Sequence, residues 1–206
     1  MFRRAVLISS LAAMSLGTIA QAQFAHLVLD SDTGDYIGQG HHSDVWYTPA
    51  DTTWFFGNGG SPISGPPSSV SFTFLKSNIA DDKYATLDFN STHLGLPLAL
   101  TTYTGAERAA FASDGHPGMD VSFEHRGSNT LTGTFTIRTL DYTVDPANSN
   151  HFFINDFVVD FEQHSEGGPA ALHGTFSFHA VPEPATIVAL LVGTAGVLSR
   201  RKRKHQ

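Results

Sequence analysis

Short segments in which apolar and polar residues alternate recur through the middle of the chain. Phe135 and Ile137 oppose Thr134, Thr136 and Arg138, and Phe176 and Phe178 oppose Thr175, Ser177 and His179. A period of two puts one face of a strand on a core and the other in water. On this pattern, with clusters of Gly, Pro, Asn and Asp between segments, strands are predicted over 70–74, 84–89, 119–124, 130–144, 151–162 and 172–179. In 130–144 the apolar phase changes from Phe135 and Ile137 to Leu140, Tyr142 and Val144, which predicts a bulge near Thr139. Phe153, Phe157, Val159 and Phe161 read as an inward row, with Asp156, Asp160 and Glu162 facing solvent. Helical periodicity is confined to 105–112, enough for a turn or two, and the Gly, Pro and Ser-rich stretch 57–69 reads as a surface loop.

Many half-buried antiparallel strands joined by turns imply an all-β fold, an antiparallel two-sheet sandwich of jelly-roll type, over residues 23–180. That length is ample for one hydrophobic core. No internal repeat interrupts it.

The two ends have a different composition. Arg3 and Arg4 precede an apolar run from Ala5 to Ile19 that closes on Ala20-Gln21-Ala22. A positive n-region, a short apolar h-region and small residues at −3 and −1 define a secretory signal peptide, so residues 1–22 are expected to be removed by signal peptidase between Ala22 and Gln23. At the other end Val181-Pro182-Glu183-Pro184 leads into an apolar run, 185–199, followed by Arg200, Arg201, Lys202, Arg203 and Lys204. Fifteen residues make a short transmembrane helix, but the run has no polar face and ends in a block of positive charge, which marks a cytoplasmic flank.

Pro-Glu-Pro, a short membrane helix and a terminal Arg/Lys cluster together resemble the PEP-CTERM sorting signal of Gram-negative bacteria that make exopolysaccharide. The resemblance covers 181–204. It implies a protein tethered to the inner membrane until the membrane protease exosortase cuts near Val181, Pro182, Glu183 and Pro184. Three stretches of the body, Gly34-Asp35-Tyr36-Ile37-Gly38-Gln39-Gly40, Phe123-Glu124-His125-Arg126-Gly127-Ser128-Asn129 and Asp160-Phe161-Glu162-Gln163-His164-Ser165-Glu166, resemble a recurring β-domain found before such signals. That resemblance implies fold and setting, and no catalytic assignment.

Charge narrows the partners further. The chain carries −7 overall, but residues 23–180 hold 18 acidic and five basic groups, a net of −13. Such a body repels nucleic acid, whose phosphates need clustered Lys and Arg. With no cysteine, a disulfide framework, a Cys-ligated zinc and a thiol nucleophile are all excluded.

The candidate chemistry rests on a few constellations. Asp30, Asp32 and Asp35 are candidate calcium ligands, but an acidic calcium loop needs an oxygen ligand at its fifth position and a Glu at its twelfth, where this chain has Gly34 and His41. A turn is the simpler reading, with calcium as the alternative. His41, His42 and Asp44, or His173 and His179, invite a metal, yet no metal-ligand spacing occurs and residues six apart on a strand lie roughly 20 Å from each other. Glu124 and Glu162 are acids that a glycosidase would need about 5–9 Å apart. Trp46, Tyr47, Trp54 and Phe55 form an aromatic cluster suited to stacking on sugar or to packing in the core. Motifs for nucleophile elbows, phosphate loops and dinucleotides are absent from the sequence.

The reading that follows is an exported, non-catalytic protein of the cell envelope or extracellular matrix, structural, adhesive or exopolysaccharide-associated, with no cofactor. A secreted carbohydrate-active hydrolase is the alternative.

Overall fold

Alternation produces the strands where it is cleanest. In the computed structural model, which describes residues 21–60, 66–76, 83–149 and 151–182, every second residue of β4 (Ser69–Lys76) and β5 (Lys83–Asn90) is buried: Val70, Phe72 and Phe74 on one, Ala85, Leu87 and Phe89 on the other. β7 (Gly118–Phe123), β8 (Leu131–Val144), β9 (His151–Ser165) and β10 (Ala171–Pro182) likewise fall on the segments that the pattern picks out. Four further strands carry weaker patterns: β1 (Gln21–Ser31), β2 (His42–Tyr47), β3 (Thr52–Gly60) and β6 (Thr102–Arg108).

Three sequence expectations need correction. Residues 105–112 hold no helix: Gly105, at φ +67°, takes up the register shift between Thr104 and Ala106 in β6, and the chain then turns. The 57–69 stretch is not all loop, since Gly57–Gly60 pair with Phe72–Ser69 at the end of β3. On β9, Phe153 points outward, 49% exposed, while Phe152 and Ile154 are buried. The pairing steps from Asp141 opposite Asp156 to Tyr142 opposite Ile154, so Asn155 is an extra residue that flips the face of everything before it. The bulge expected near Thr139 is present, between Ile137 and Thr139.

The fold is all-β. Among the described residues all ten strands join one hydrogen-bonded network in the order β2-β1-β10-β9-β3-β4-β5-β7-β6-β8, and β8 also pairs with β9 over most of its length, so the network turns back on itself. The expected antiparallel arrangement holds for β1–β2, β10–β9, β3–β4, β3–β9, β4–β5, β5–β7, β6–β8 and β8–β9, while β6 and β7 run parallel for two residue pairs. The link from β3 to β9 is equally short. Because the network turns back, distant strands face one another. Phe72 of β4 lies 5.4 Å from Phe157 of β9 and 4.8 Å from Phe176 of β10, ring centre to ring centre, and Phe89 of β5 lies 5.2 Å from Phe135 of β8. Each wholly buried phenylalanine contributes roughly 1.5–3 kcal/mol.

Residues Ala22–Val181 make up one compact unit. The expected signal-peptide run and the expected membrane helix, 185–199, lie outside the described residues. Among those described, no helix is long and apolar enough to cross a membrane.

Candidate functional site

The three stretches singled out in the sequence meet at one end of the sheet. The first is a turn after β1, and Asp35 organises it. Its Oδ2 accepts from the Gly38 amide at 2.7 Å and from Ser31 Oγ at 2.8 Å, and Ser31 Oγ in turn accepts from the Gly40 amide at 3.0 Å. Gly38 has no room for a side chain, because a Cβ would meet Leu172 Cδ1 at 3.0 Å and overlap Ser31. Next along the turn, Gln39 is left-handed at φ +55°.

The second stretch is the tight turn that ends β7. Phe123 and Arg126 exchange both backbone hydrogen bonds at 2.9 Å, leaving Glu124 (φ +49°) and His125 (φ +64°) as its two central residues. Positive φ at both positions is the geometry that Asn-Gly adopts readily and that costs other residues roughly 1–2 kcal/mol each. Tyr84 supports the turn by stacking on the His125 ring, 4.9 Å between centres, while its carbonyl accepts from the Glu124 amide at 2.8 Å. The third stretch locks on through Glu166, whose carboxylate accepts from the Asn129 amide and from Thr130 Oγ1, and through Ser128 Oγ, which donates to Ser165 Oγ at 2.7 Å.

Between the first two stretches lies a polar cavity of about 260 Å³ lined by Gln39, His41, His42, Ser43, Lys83, Glu124 and Arg126, with Ile37, Gly38 and Phe123 completing the wall. Glu124 sits between two cations, bonded to Lys83 on one side and 3.4 Å from Arg126 Nη1 on the other, and Arg126 Nη2 donates to Gln39 Oε1 at 3.1 Å. Partial burial pushes the Glu124 carboxyl up, but the hydrogen bonds and charges of Lys83 and Arg126 outweigh it and hold the group below the usual carboxylate range. Among the described residues, Asp35 Oδ1 and the Tyr47 hydroxyl are buried without a hydrogen-bond partner. Burial, then the negative charge of Glu124, push the Tyr47 pKa well above its ordinary value.

Sequence candidates fare unevenly. Asp30, Asp32 and Asp35 do not converge on a calcium site: Asp30 pairs with His42, Asp32 Oδ2 accepts from the Ala171 amide, and Asp35 is buried in its own turn. His42 and Asp44 likewise part company, Asp44 meeting His26 at 2.8 Å, while His173 turns to Glu162 and His179 to Asp156. Among the described residues eight histidines lie against carboxylates in this way, and no group of three or more potential ligands could hold a metal ion. Glu124 and Glu162 share no partner. The aromatic cluster splits: Tyr47 is core, whereas Trp46 is 48% exposed and stacks on His26 at 4.0 Å. The side chains of Trp54 and Phe55 lie outside what is described.

A second cavity, also about 260 Å³, escaped sequence reasoning. Asp88 of β5 and Asp120 of β7 are register partners on the outward face, and Ser69, Val70, Phe89, Asn90, Ala109 and Ala110 complete the walls. Arg108 Nε donates to Asp120 Oδ2 at 3.0 Å. Burial raises the Asp88 pKa, a hydrogen bond from Ser71 opposes it, and the charge of Asp120 raises it again. For Asp120, burial outweighs the pull of Arg108. An acid between apolar neighbours, as in Leu87-Asp88-Phe89 and Met119-Asp120-Val121, was the available signal, but only strand pairing brings the two together.

The last residue of β10 paired with β9 is His179, opposite Asp156. From the next residue onward the chain matches a known pattern. Residues 180–204 are a PEP-CTERM protein-sorting motif. The motif makes this an exported protein, anchored in the membrane before processing and sorted by exosortase. Its residues Val181 and Pro182 end β10, and Glu183 and Pro184 lie beyond the described residues, as does Ala20 at the other end. Ala22 and Gln23 lie in β1 ahead of Ala25, its first residue paired with β2. No curated protein and no solved structure matches the chain.

Proposed function

We propose that this exosortase-sorted protein works in the cell envelope or extracellular matrix as a non-catalytic, exopolysaccharide-associated component, and that its body is a two-layer sandwich of jelly-roll type. One layer is β2-β1-β10-β9-β8-β6 and the other β3-β4-β5-β7, a division supported by the Phe72 and Phe89 contacts between them and by the shortness of the β3–β9 and β6–β7 links. Signal peptidase and exosortase are its processing partners, and the reading requires no cofactor.

The observation that carries the polysaccharide role is an aromatic row on the outward side of β1, β2 and β10. Trp46, half exposed on the terminal strand of the network, stacks on His26. Phe24 lies 5.9 Å from Trp46 and 5.0 Å from His179. An exposed ring on a rigid strand presents the apolar face that a pyranose covers, with polar groups at its edge. Pull-down of the full chain on the host's exopolysaccharide tests this. Wild-type protein is expected to bind with or without chelator, and Trp46→Ala to bind several-fold less with an unchanged melting temperature. Failure of the wild-type chain to bind would end the polysaccharide role.

The Asp88–Asp120 cavity favours a second reading, a carbohydrate-active hydrolase. Two facing carboxyls, one paired with Arg108 and the other with its pKa raised by burial and by its neighbour, suit the division of labour that glycoside hydrolysis uses. Release of reducing sugar by wild type, abolished in Asp88→Asn and Asp120→Asn, would replace the non-catalytic reading.

A further inference from the structure

We propose that the cavity between the 35–43 turn and the 123–126 turn is a binding site for a carboxylate-bearing sugar, an inference that rests on the polysaccharide role and gives it a ligand class. Arg126 and Lys83 take the carboxylate, while Gln39, His41, Ser43 and Glu124 bond the hydroxyls.

Charge is the first argument. In a body of net −13, this cavity brings two fixed cations to one carboxylate. Acids elsewhere on the body act through solvent and salt, which screen over about 8 Å at physiological ionic strength, whereas a group inside the cavity meets Arg126 and Lys83 directly. Asp30 is already paired with His42 of the lining, and Asp35 is spent on its own turn. Arg126 commits two N–H groups, to Glu124 and Gln39, out of the five that a guanidinium carries, so it is oriented and still has donors for a planar carboxylate.

Shape and acceptors choose among anions. The volume suits one sugar ring, and the lining is mostly polar. Glu124 offers acceptor oxygens in the middle of the site, which would repel a compact inorganic anion but accept from hydroxyls. A neutral sugar would leave the extra positive charge uncompensated. The backbone supports a dedicated site as well: among the described residues four non-glycine positions are left-handed, and three of them, Gln39, Glu124 and His125, belong to this cavity's two turns. Strain of this kind concentrates where a side chain must be aimed.

The test is calorimetry on the full chain in mild detergent with glucuronate, galacturonate, an oligo-uronide, glucose, galactose, acetate and sulfate. Both uronates are expected to bind, with the neutral parent sugars, acetate and sulfate at least about tenfold weaker, the cost of one lost charge-assisted contact. Arg126→Gln and Lys83→Gln should each weaken uronate about tenfold. Gln39→Leu, at an exposed position, should weaken it about threefold and keeps the test valid should the charge variants melt early. Oligo-uronide binding more tightly than monomer assigns the ligand to polysaccharide, and equal binding assigns it to free sugar acid. Neutral sugars or acetate binding as well as uronate would overturn the ligand class, and unchanged affinity in Arg126→Gln and Gln39→Leu would overturn the site. Exopolysaccharide that binds wild type and Arg126→Gln alike, with no uronate bound, defeats this inference and leaves the polysaccharide role standing.

Discussion

Gln163 of β9 stands in for a neighbouring strand to Val121 of β7: its Oε1 accepts from the Val121 amide at 2.9 Å and its Nε2 donates to the Val121 carbonyl at 3.1 Å. The side chain is wholly buried. It is needed because β6 pairs with β7 only at Gly118 and Met119, so the edge of β7 beyond them has no strand to bond. A backbone donor and acceptor buried without partners would be costly.

Gln163→Leu therefore removes both hydrogen bonds to Val121, together with a longer one to Ser128 Oγ at 3.4 Å, and strands two backbone groups, at about 1–3 kcal/mol each. We expect a loss of about 3 kcal/mol in urea denaturation of the full chain, at nearly constant m-value. A loss below about 1 kcal/mol would mean that water takes over both bonds.

Gly133 sets a second limit, on how closely β8 approaches β9. A Cβ there would lie 2.5 Å from the Glu162 carbonyl oxygen and overlap the Met119 methyl. The methionine has rotamers to escape into, but the carbonyl belongs to a paired strand. Gly133→Ala should cost about 2–3 kcal/mol, the range for overpacking, whereas Gly115→Ala, with nothing near its Cβ and strained only by φ +86°, should cost about 1 kcal/mol. Thermal melts of the two variants side by side make the comparison.

What the sequence disclosed and what it concealed have separate causes. Strands with an uninterrupted alternation, β4, β5 and β10, are legible because burial follows parity along them. β9 is half legible, since parity read back from Phe157 assigns Phe153 to the core until the extra residue at Asn155 is known. β3 is hidden by its glycines, and β6 by Gly105. Of the candidate sites, the sorting signal was fully readable because its parts are contiguous. The polar cavity was readable only as two separate stretches, for nothing in one chain says that Arg126 will reach Gln39. The Asp88–Asp120 pair depends on strand pairing and was not readable at all.

That pair should leave a mark on pH dependence. Both carboxyls have folded-state pKa values raised above the unfolded value of 3.8, so the folded protein holds protons more tightly than the unfolded chain. Their contribution is favourable below the unfolded pKa and is lost as pH rises through the raised folded values. Asp88→Asn should accordingly raise the melting temperature at pH 7 and change it little at pH 3. Asp51 has the opposite sign: burial pushes it up, but hydrogen bonds from Lys76, Thr48 and Thr52 prevail and hold it at about 2, so its contribution is lost as pH falls from 3.8 toward that value. Asp51→Asn should therefore narrow the gap to wild type only on the acid side. Melting curves from pH 2 to pH 8 separate the two, and a stabilisation in Asp88→Asn that persisted at pH 3 would trace to packing instead of charge.

The ends of the chain carry the last prediction. Cleavage after Ala22 leaves Gln23 as the new terminus, two residues ahead of Ala25, where β1 begins to pair with β2. Cleavage within Val181-Pro182-Glu183-Pro184 falls beyond His179, the last residue of β10 paired with β9. Both cuts thus spare every residue by which β1 pairs with β2 and β10 with β9, and the released body should keep its cooperative melt. In a host with exosortase, mass spectrometry is expected to find a product that starts at Gln23 and ends near Pro182. Glu183→Ala should leave the membrane-held precursor in place and reduce release, because the substitution alters the recognised triplet without touching the apolar run that follows it. A product still beginning at Met1 would remove the signal peptide from the account. Equal release from the Glu183→Ala chain would show that this glutamate is not what the protease reads, and would leave the motif's helix and basic cluster as the recognised parts.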